Sequence, residues 1–324
     1  MQYKIKKISG DASFREFYRI KKKFKSTILV IANKDKFRNL IIYAAINDLL
    51  IKNKIKAPKL VHEYFVNNMM EIEDLGSLSF LEYIKNKKNK FNDYKKLVEL
   101  IIKLQKINFK KDIKFQNNKI KIKKYNLPVL HKESDLFFDW YLKNNIKKEK
   151  FKKNKKQIKK ELNIIYKKLH FQEMCFVHRD FHAANIILKN KKFGLIDSQD
   201  ALRGNLLYDI ASLIDDVRIK LPIKLKSSLF SYYLSKTLKI KKDKELLIAK
   251  NDFDILSIQR NLKILGIFVR LCKRDHKLSY QKYLPYVWQL LELRLRNPIF
   301  INLKYLLNKA VPKKNRKKVN FNDN

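Results

Sequence analysis

The stretch His178-Arg179-Asp180-Phe181-His182-Ala183-Ala184-Asn185 sets an aspartate and an asparagine five positions apart. Twelve residues beyond the asparagine, Asp197 follows the short apolar run Phe193-Gly194-Leu195-Ile196. Two carboxylates and one amide suit metal-assisted phosphoryl transfer. One carboxylate, Asp180, orients an attacking hydroxyl and can accept its proton. An amide oxygen from Asn185 and the second carboxylate, Asp197, are hard donors that hold Mg²⁺ against nucleotide phosphates. Easing charge repulsion around the phosphates is the main service of such a site.

The elements that must carry these residues can be read from periodicity. STILVIA (26–32) is short, β-branched and flanked by polar residues, which predicts a buried strand. Residues 37–53 are too long for a strand and place Leu40, Ile41, Ala44, Ala45, Asp48 and Leu49 at helical spacing. VHEYFV (61–66) and MMEIED (69–74) read as a hairpin turning at Asn67-Asn68, after which Leu75-Gly76 breaks the pattern. From Ser77 onward the chain is mainly helical, with one strand-rich insert at 175–200 that holds the polar constellation. The expected class is α+β, with a small strand-rich lobe over 1–74 and a larger helical lobe over 75–310. A basic flexible tail is expected over 311–324.

Composition narrows the rest. The chain has 324 residues and 75 Lys+Arg against 31 Asp+Glu, a net charge of +44 that invites a nucleic-acid reading. Gly (5) and Pro (6) are scarce, while Lys, Asn and Ile, the residues of AT-rich codons, abound. Genome composition is therefore the expected source of the charge. The aromatics follow core periodicity and form no stacking platform, so nucleic-acid binding on this scaffold is the less favoured alternative. Two cysteines make no disulfide framework or four-cysteine zinc site. No signal-peptide run or apolar span of membrane length is present, so a cytoplasmic protein is expected, with no membrane partner. The lysine run 143–160, ten lysines and one glutamate, reads as a solvated helix face or loop. Oligomeric state is left open, with a monomer as the default.

HRDFHAANIIL followed by LIDSQDALRGNLLYDIASL resembles the aminoglycoside-phosphotransferase-like kinases of the protein-kinase-like superfamily. Ile196-Asp197-Ser198-Gln199-Asp200 stands where protein kinases have Asp-Phe-Gly, and Tyr208-Asp209-Ile210-Ala211 matches a downstream motif of the family. Gly10-Asp11-Ala12-Ser13-Phe14-Arg15 is similar to the nucleotide-covering loop of the N-acetylmuramate/N-acetylglucosamine anomeric kinases. Glu73-Asp74-Leu75-Gly76 resembles their inter-lobe hinge. Gln259-Arg260-Asn261-Leu262-Lys263-Ile264-Leu265-Gly266-Ile267-Phe268 resembles their C-terminal helical signature.

The resemblance implies a two-lobed protein-kinase-like fold that uses ATP and Mg²⁺. It implies nucleotide contacts from Gly10, Asp11, Ala12, Ser13 and Arg15, and from the backbone of Glu71, Ile72 and Glu73. It implies loop-bracing roles for His178 and Asp209. His182, Asp200, Arg260, Asn261 and Lys263 are candidate substrate contacts, although the polar groups on the helix could equally serve helix packing.

One departure is plain: the strand STILVIANKDK holds no internal lysine and helix 37–53 no glutamate, so the usual lysine–glutamate pair is missing. Lys34, Lys36, Arg15 and Arg19 are the cations left as candidates for the phosphates. The implied reaction is phosphorylation of an anomeric sugar hydroxyl, as in cell-wall sugar salvage. Only seven acidic residues occur from position 220 to the end, which disfavours a polycationic acceptor and suits a neutral or acidic sugar. Kinase action on another small alcohol stays open, since fold alone does not name a substrate.

Overall fold

The computed structural model describes residues 4–8, 15–21, 23, 25–32, 37–108, 112–172, 174–238, 240 and 242–316. In chain order the elements are β1 (Lys4–Ile8), β2 (Glu16–Lys21), β3 (Ser26–Ile31), α1 (Phe37–Lys52), β4 (Leu60–Tyr64), β5 (Met69–Glu73), α2 (Phe80–Lys85), α3 (Phe91–Gln105), β6 (Asp112–Phe115) and β7 (Asn118–Lys121). There follow α4 (Leu127–Leu136), α5 (Lys148–Tyr166), β8 (Cys175–Val177), β9 (Ile186–Lys189), β10 (Lys192–Leu195), β11 (Leu202–Gly204), α6 (Tyr208–Ile214), α7 (Ile223–Thr237), α8 (Asp243–Arg274), α9 (Leu284–Arg294) and α10 (Ile301–Ala310).

The chain divides into two compact units, Met1–Lys123 with Cys175–Arg203, and Lys124–Met174 with Gly204–Asn324. The expected boundary at residue 74 thus falls inside the first unit. The reason is local bonding. The β9–β10 hairpin is tied to what precedes it: Leu195 N–H donates to Lys56 O at 2.8 Å and Leu188 N–H to Leu78 O at 2.8 Å.

In the first unit an antiparallel sheet runs β1-β2-β3-β5-β4. Leu29 of β3 stands opposite Glu71 of β5, and Tyr18 of β2 opposite Leu29. Val30, Ala32, Leu40, Tyr43, Ala44, Met70 and Ile72 form one buried cluster, which joins the sheet to α1. Asp48 points outward and pairs with Lys52 one turn on, so the buried stripe of α1 runs through Tyr43 and Asn47 instead. Ser79 and Glu82 form a reciprocal capping box that starts α2 where the turn after β5 ends.

Two elements differ from expectation. The sequence pattern puts the Gly10–Ser13 segment ahead of the first strands; β1 precedes it in the chain, and Gly10, Asp11, Ala12 and Ser13 lie outside the described residues. A β6–β7 hairpin interrupts the helical region. Its lysine-rich outer face hides the alternation of Ile113, Phe115 and Ile120 toward the interior.

The second unit is built on α8, whose 32 residues span about 48 Å at 1.5 Å each. α4, α6 and α9 pack against it, as does a π-helical turn at Phe137–Leu142. Gly266 allows the closest approach: a Cβ there would meet Leu136 O at 2.2 Å and Phe137 N at 2.7 Å, so only glycine fits. The lysine run forms most of α5, whose buried stripe is Ile158, Leu162, Ile165 and Tyr166. Val311 and Arg316 are buried, and the Arg316 guanidinium lies 4.2 Å from the Trp288 ring centroid. The expected tail therefore starts too early: packing of aromatic against guanidinium holds the chain to Arg316, and residues 317–324 lie outside the described residues. Among the described residues no helix is long and apolar enough to cross a membrane.

Candidate active site

β8 is buried along its whole length and delivers His178, which is fully buried. The chain then turns sharply. Arg179 adopts φ 77°, a left-handed conformation costly for a side-chain-bearing residue, and so the loop is held by its surroundings. His182 N–H donates to Asp180 O at 3.0 Å, and Asn185 N–H to His182 O at 3.0 Å, winding the short 3-10 turn Ala183–Asn185. The Asn185 side-chain Nδ2 donates to Asp180 O at 3.1 Å and lies 3.4 Å from His182 Nε2. Its amide nitrogen is spent on the loop, which leaves the amide oxygen as the donor atom to a ligand.

The β9–β10 hairpin brings Asp197 back to Asn185. Ile196 N–H donates to Asn185 O at 3.1 Å, and Asp197 has φ 62°. The second strained residue of the site is thus one of the two expected metal ligands. The α1 helix supports this turn: Asp197 N–H points to Tyr43 Oη at 3.4 Å, and Ser198 Oγ donates to Asn47 Oδ1 at 2.6 Å. Gln199 Nε2 donates to Asp197 Oδ1 at 2.7 Å. Burial pushes the Asp197 carboxyl above its usual range; the Gln199 amide and Arg15 oppose this, while the charges of Asp180 and Asp200 add to it. Tyr43, buried beside Asp197, is pushed up to about 12 by burial and by that carboxylate.

A half-buried carboxylate short of positive charge, beside an available amide oxygen, fits Mg²⁺. That ion takes one or two protein oxygens and completes its shell with phosphate and water. Asp200 is exposed and pairs with Arg179 at 3.3 Å.

The other end of this unit is the turn leaving β5. β5 lies between β3 and β4, so its backbone is taken up by two ladders, and Glu73 N–H donates to Lys59 O at 2.8 Å. Sheet pairing on both sides of Glu71 and Ile72 competes with the expected nucleotide contact from their backbone, whereas for Glu73 the bond shown is that of its N–H. The Glu71 side chain accepts from Thr27 Oγ1. Asp74 is buried, with Arg19 and Ser26 on its carboxylate. Burial alone would raise this carboxyl, but hydrogen bonds from Arg19, Ser26 and Gly76 N–H hold it below its usual range. Arg19 is thereby committed to Asp74. Arg15 is the candidate cation whose field reaches Asp197 and Tyr43, and Lys34 and Lys36 lie outside the described residues.

The remaining candidates sit in the second unit. Asp209 is buried in the first turn of α6. Arg260 Nη1 donates to Tyr208 Oη at 3.1 Å, and its guanidinium lies 5.0 Å from that ring centroid. Asn261 Nδ2 donates to Ser257 O at 2.8 Å. Lys263 Nζ pairs with Glu133 at 3.0 Å, and Gln259 Nε2 donates to the same carboxylate at 2.8 Å.

Sequence reasoning missed Tyr43, Asn47, Gln199 and the Arg19–Asp74 pair. Tyr43 and Asn47 carried a usable signal, since they stand one helical turn apart among apolar residues on the buried stripe.

Residues 4–241 match the family model described as "Phosphotransferase enzyme family". A similar curated protein is the N-acetylmuramate/N-acetylglucosamine kinase of Pseudomonas aeruginosa, 26% identical over 304 residues, covering 92% of this chain and 86% of that one. Among solved structures, an ethanolamine kinase of Plasmodium vivax superposes with a TM-score of 0.61 at 14% identity, over 93% of this chain and 84% of its own. A thermostable mutant of aminoglycoside phosphotransferase APH(4)-Ia, in ternary complex with AMP-PNP and hygromycin B, gives 0.60 at 10% identity, over 90% and 93%. The two-lobed α+β fold expected from the sequence is the fold these kinases share.

Proposed function

The chain belongs to the phosphotransferase enzyme family, and we propose that it transfers the γ-phosphoryl group of ATP to the anomeric hydroxyl of N-acetylmuramate or N-acetylglucosamine. The observation that carries this reading is the meeting of Asp180, Asn185 and Asp197 on one strained loop and hairpin, in a chain whose curated relatives bear that kinase name. Support for a nucleotide comes from the AMP-PNP complex of a protein with the same fold.

Asp180 orients the sugar O1 hydroxyl and takes its proton. An anomeric hydroxyl is more acidic than an ordinary sugar alcohol, which brings it within reach of a carboxylate base. The O1–phosphorus bond forms, the bond from phosphorus to the β–γ bridging oxygen breaks, and ADP leaves. Asn185, through its amide oxygen, and Asp197 would hold Mg²⁺, which when bound neutralises phosphate charge. His178 and Phe181 are buried under the loop and fix its path. Arg15 supplies positive charge toward the phosphates where the strand lysine is missing. Arg260 Nη1, Asn261 Nδ2 and Lys263 Nζ make bonds within α8 and from α8 to α6 and α4, which favours a packing role for these groups, while the buried Asn261 Oδ1 has no hydrogen-bond partner among the described residues.

Pure protein incubated with Mg-ATP and either sugar should give a sugar 1-phosphate signal in phosphorus NMR. Product with another alcohol and none with either sugar would refute the acceptor assignment.

A further inference from the structure

We infer that Asp74 and Arg19 form a positioning clamp that sets the span between the two ends of the nucleotide site in the first unit. This rests on the reading of that unit as the ATP-binding one.

The clamp has three sides. Toward β2 and β3, the Asp74 carboxylate accepts Arg19 Nε at 2.7 Å and Nη2 at 3.0 Å, a bidentate pair, and Ser26 Oγ at 2.7 Å. Within the turn itself, Asp74 Oδ1 accepts Gly76 N–H at 2.9 Å, and Arg19 Nη2 donates to Gly76 O at 3.1 Å. Gly76 sits at φ 101°, so the turn needs this residue as well as these bonds. Toward β9, Lys189 Nζ donates to the main-chain oxygen of Asp74 at 2.7 Å.

That last bond reaches the hairpin that holds the metal ligands. β9 begins at Ile186, directly after Asn185, and β10 ends two residues before Asp197. The turn leaving β5, where the base would sit, is therefore joined by one side chain to the strand whose start and partner present the metal-binding atoms. A nucleotide bound along this unit meets both ends at once, so an error in their spacing is an error in fit. Only 5% of the Asp74 side chain is exposed, and its charge is answered by Arg19 rather than by solvent.

The test is a split between constants. In Asp74→Ala and Arg19→Met, KM for ATP and Kd for ADP with Mg²⁺ should rise roughly tenfold. KM for the sugar and kcat should stay within about twofold of the parent. Arg19→Lys should recover only part of the loss, because an ammonium cannot make the bidentate pair. The Lys189 side chain is 38% exposed and its loss should spare the fold; Lys189→Met should raise KM for ATP by about threefold. A fall in melting temperature with nucleotide constants unchanged would overturn the clamp while leaving the functional reading intact. Failure of the parent protein to bind ADP with Mg²⁺ by calorimetry would overturn the functional reading, and the clamp with it.

Discussion

Asp197 in the first unit and Asp215 in the second are both aspartates withdrawn from water, and their surroundings are opposite. Asp215 caps the end of α6 and is met by Lys226 Nζ at 2.7 Å, Arg294 Nε at 2.8 Å and Nη2 at 3.0 Å, and Ser257 Oγ at 2.5 Å. Burial would raise its carboxyl, but the charges of Lys226 and Arg294 hold it far below the usual range. Asp197 receives one side-chain amide, faces Asp180 and Asp200, and is shifted the other way. A carboxylate whose every lone pair is answered serves the fold. One left short of cations is destabilising alone, and is in the right state to bind one.

The comparison can be broken most forcefully at the reacting atoms. Asp180→Asn should lower kcat on the order of 10³- to 10⁴-fold with little change in KM for ATP, measured by coupled ADP release. Asp215→Ala leaves Lys226 and Arg294 without their shared counter-charge and should destabilise by about 3–5 kcal/mol in urea melts.

The pH dependences should have opposite signs. Asp215 has a depressed native pKa, so its stabilisation is present above its unfolded pKa of about 3.9 and is lost as pH falls toward the native value. Asp197 has a raised native pKa. It binds protons more tightly when folded, so its favourable contribution exists at low pH and is lost as pH rises from about 3.9 through the native value. Melts of Asp215→Asn and Asp197→Asn between pH 3 and pH 7 should therefore change slope in opposite directions.

The smallest effect sharpens the contrast most. Asp197→Asn should raise the melting temperature at pH 7 by roughly 2–4 °C, for about 1 kcal/mol, while removing activity. Mg-ADP should stabilise the parent protein more than this variant.

Legibility also differed from element to element, within the first unit as well as between the two. STILVIA, helix 37–53 and the strand Met69–Glu73 show their periods because each buries an apolar face and keeps its breakers at its ends, whereas β4, its hairpin partner, is largely exposed. The loop from His178 to Asn185 was legible because the chemistry proposed for it dictates residue types at fixed spacing. The β6–β7 hairpin was not, because lysines occupy its outer positions. The Arg19–Asp74 pair joins residues 55 apart in sequence, and no local pattern marks such a contact. Arg260, Asn261 and Lys263 announced polar groups on a helix, but sequence does not say whether such groups meet a ligand or each other.

The π-helical turn at Phe137–Leu142 has a consequence for insertions and deletions. A π turn accommodates one residue more than an α turn over the same rise. Deleting the exposed Asp139 would let the segment close as ordinary α-helix, with Tyr141 still in phase to accept the Trp288 Nε1–H bond now at 2.7 Å. The same single-residue deletion inside α8 would rotate everything beyond it by about 100° and swing a side chain toward Leu136 where Gly266 now stands. Two neighbouring helices thus differ sharply in how they tolerate the loss of one codon.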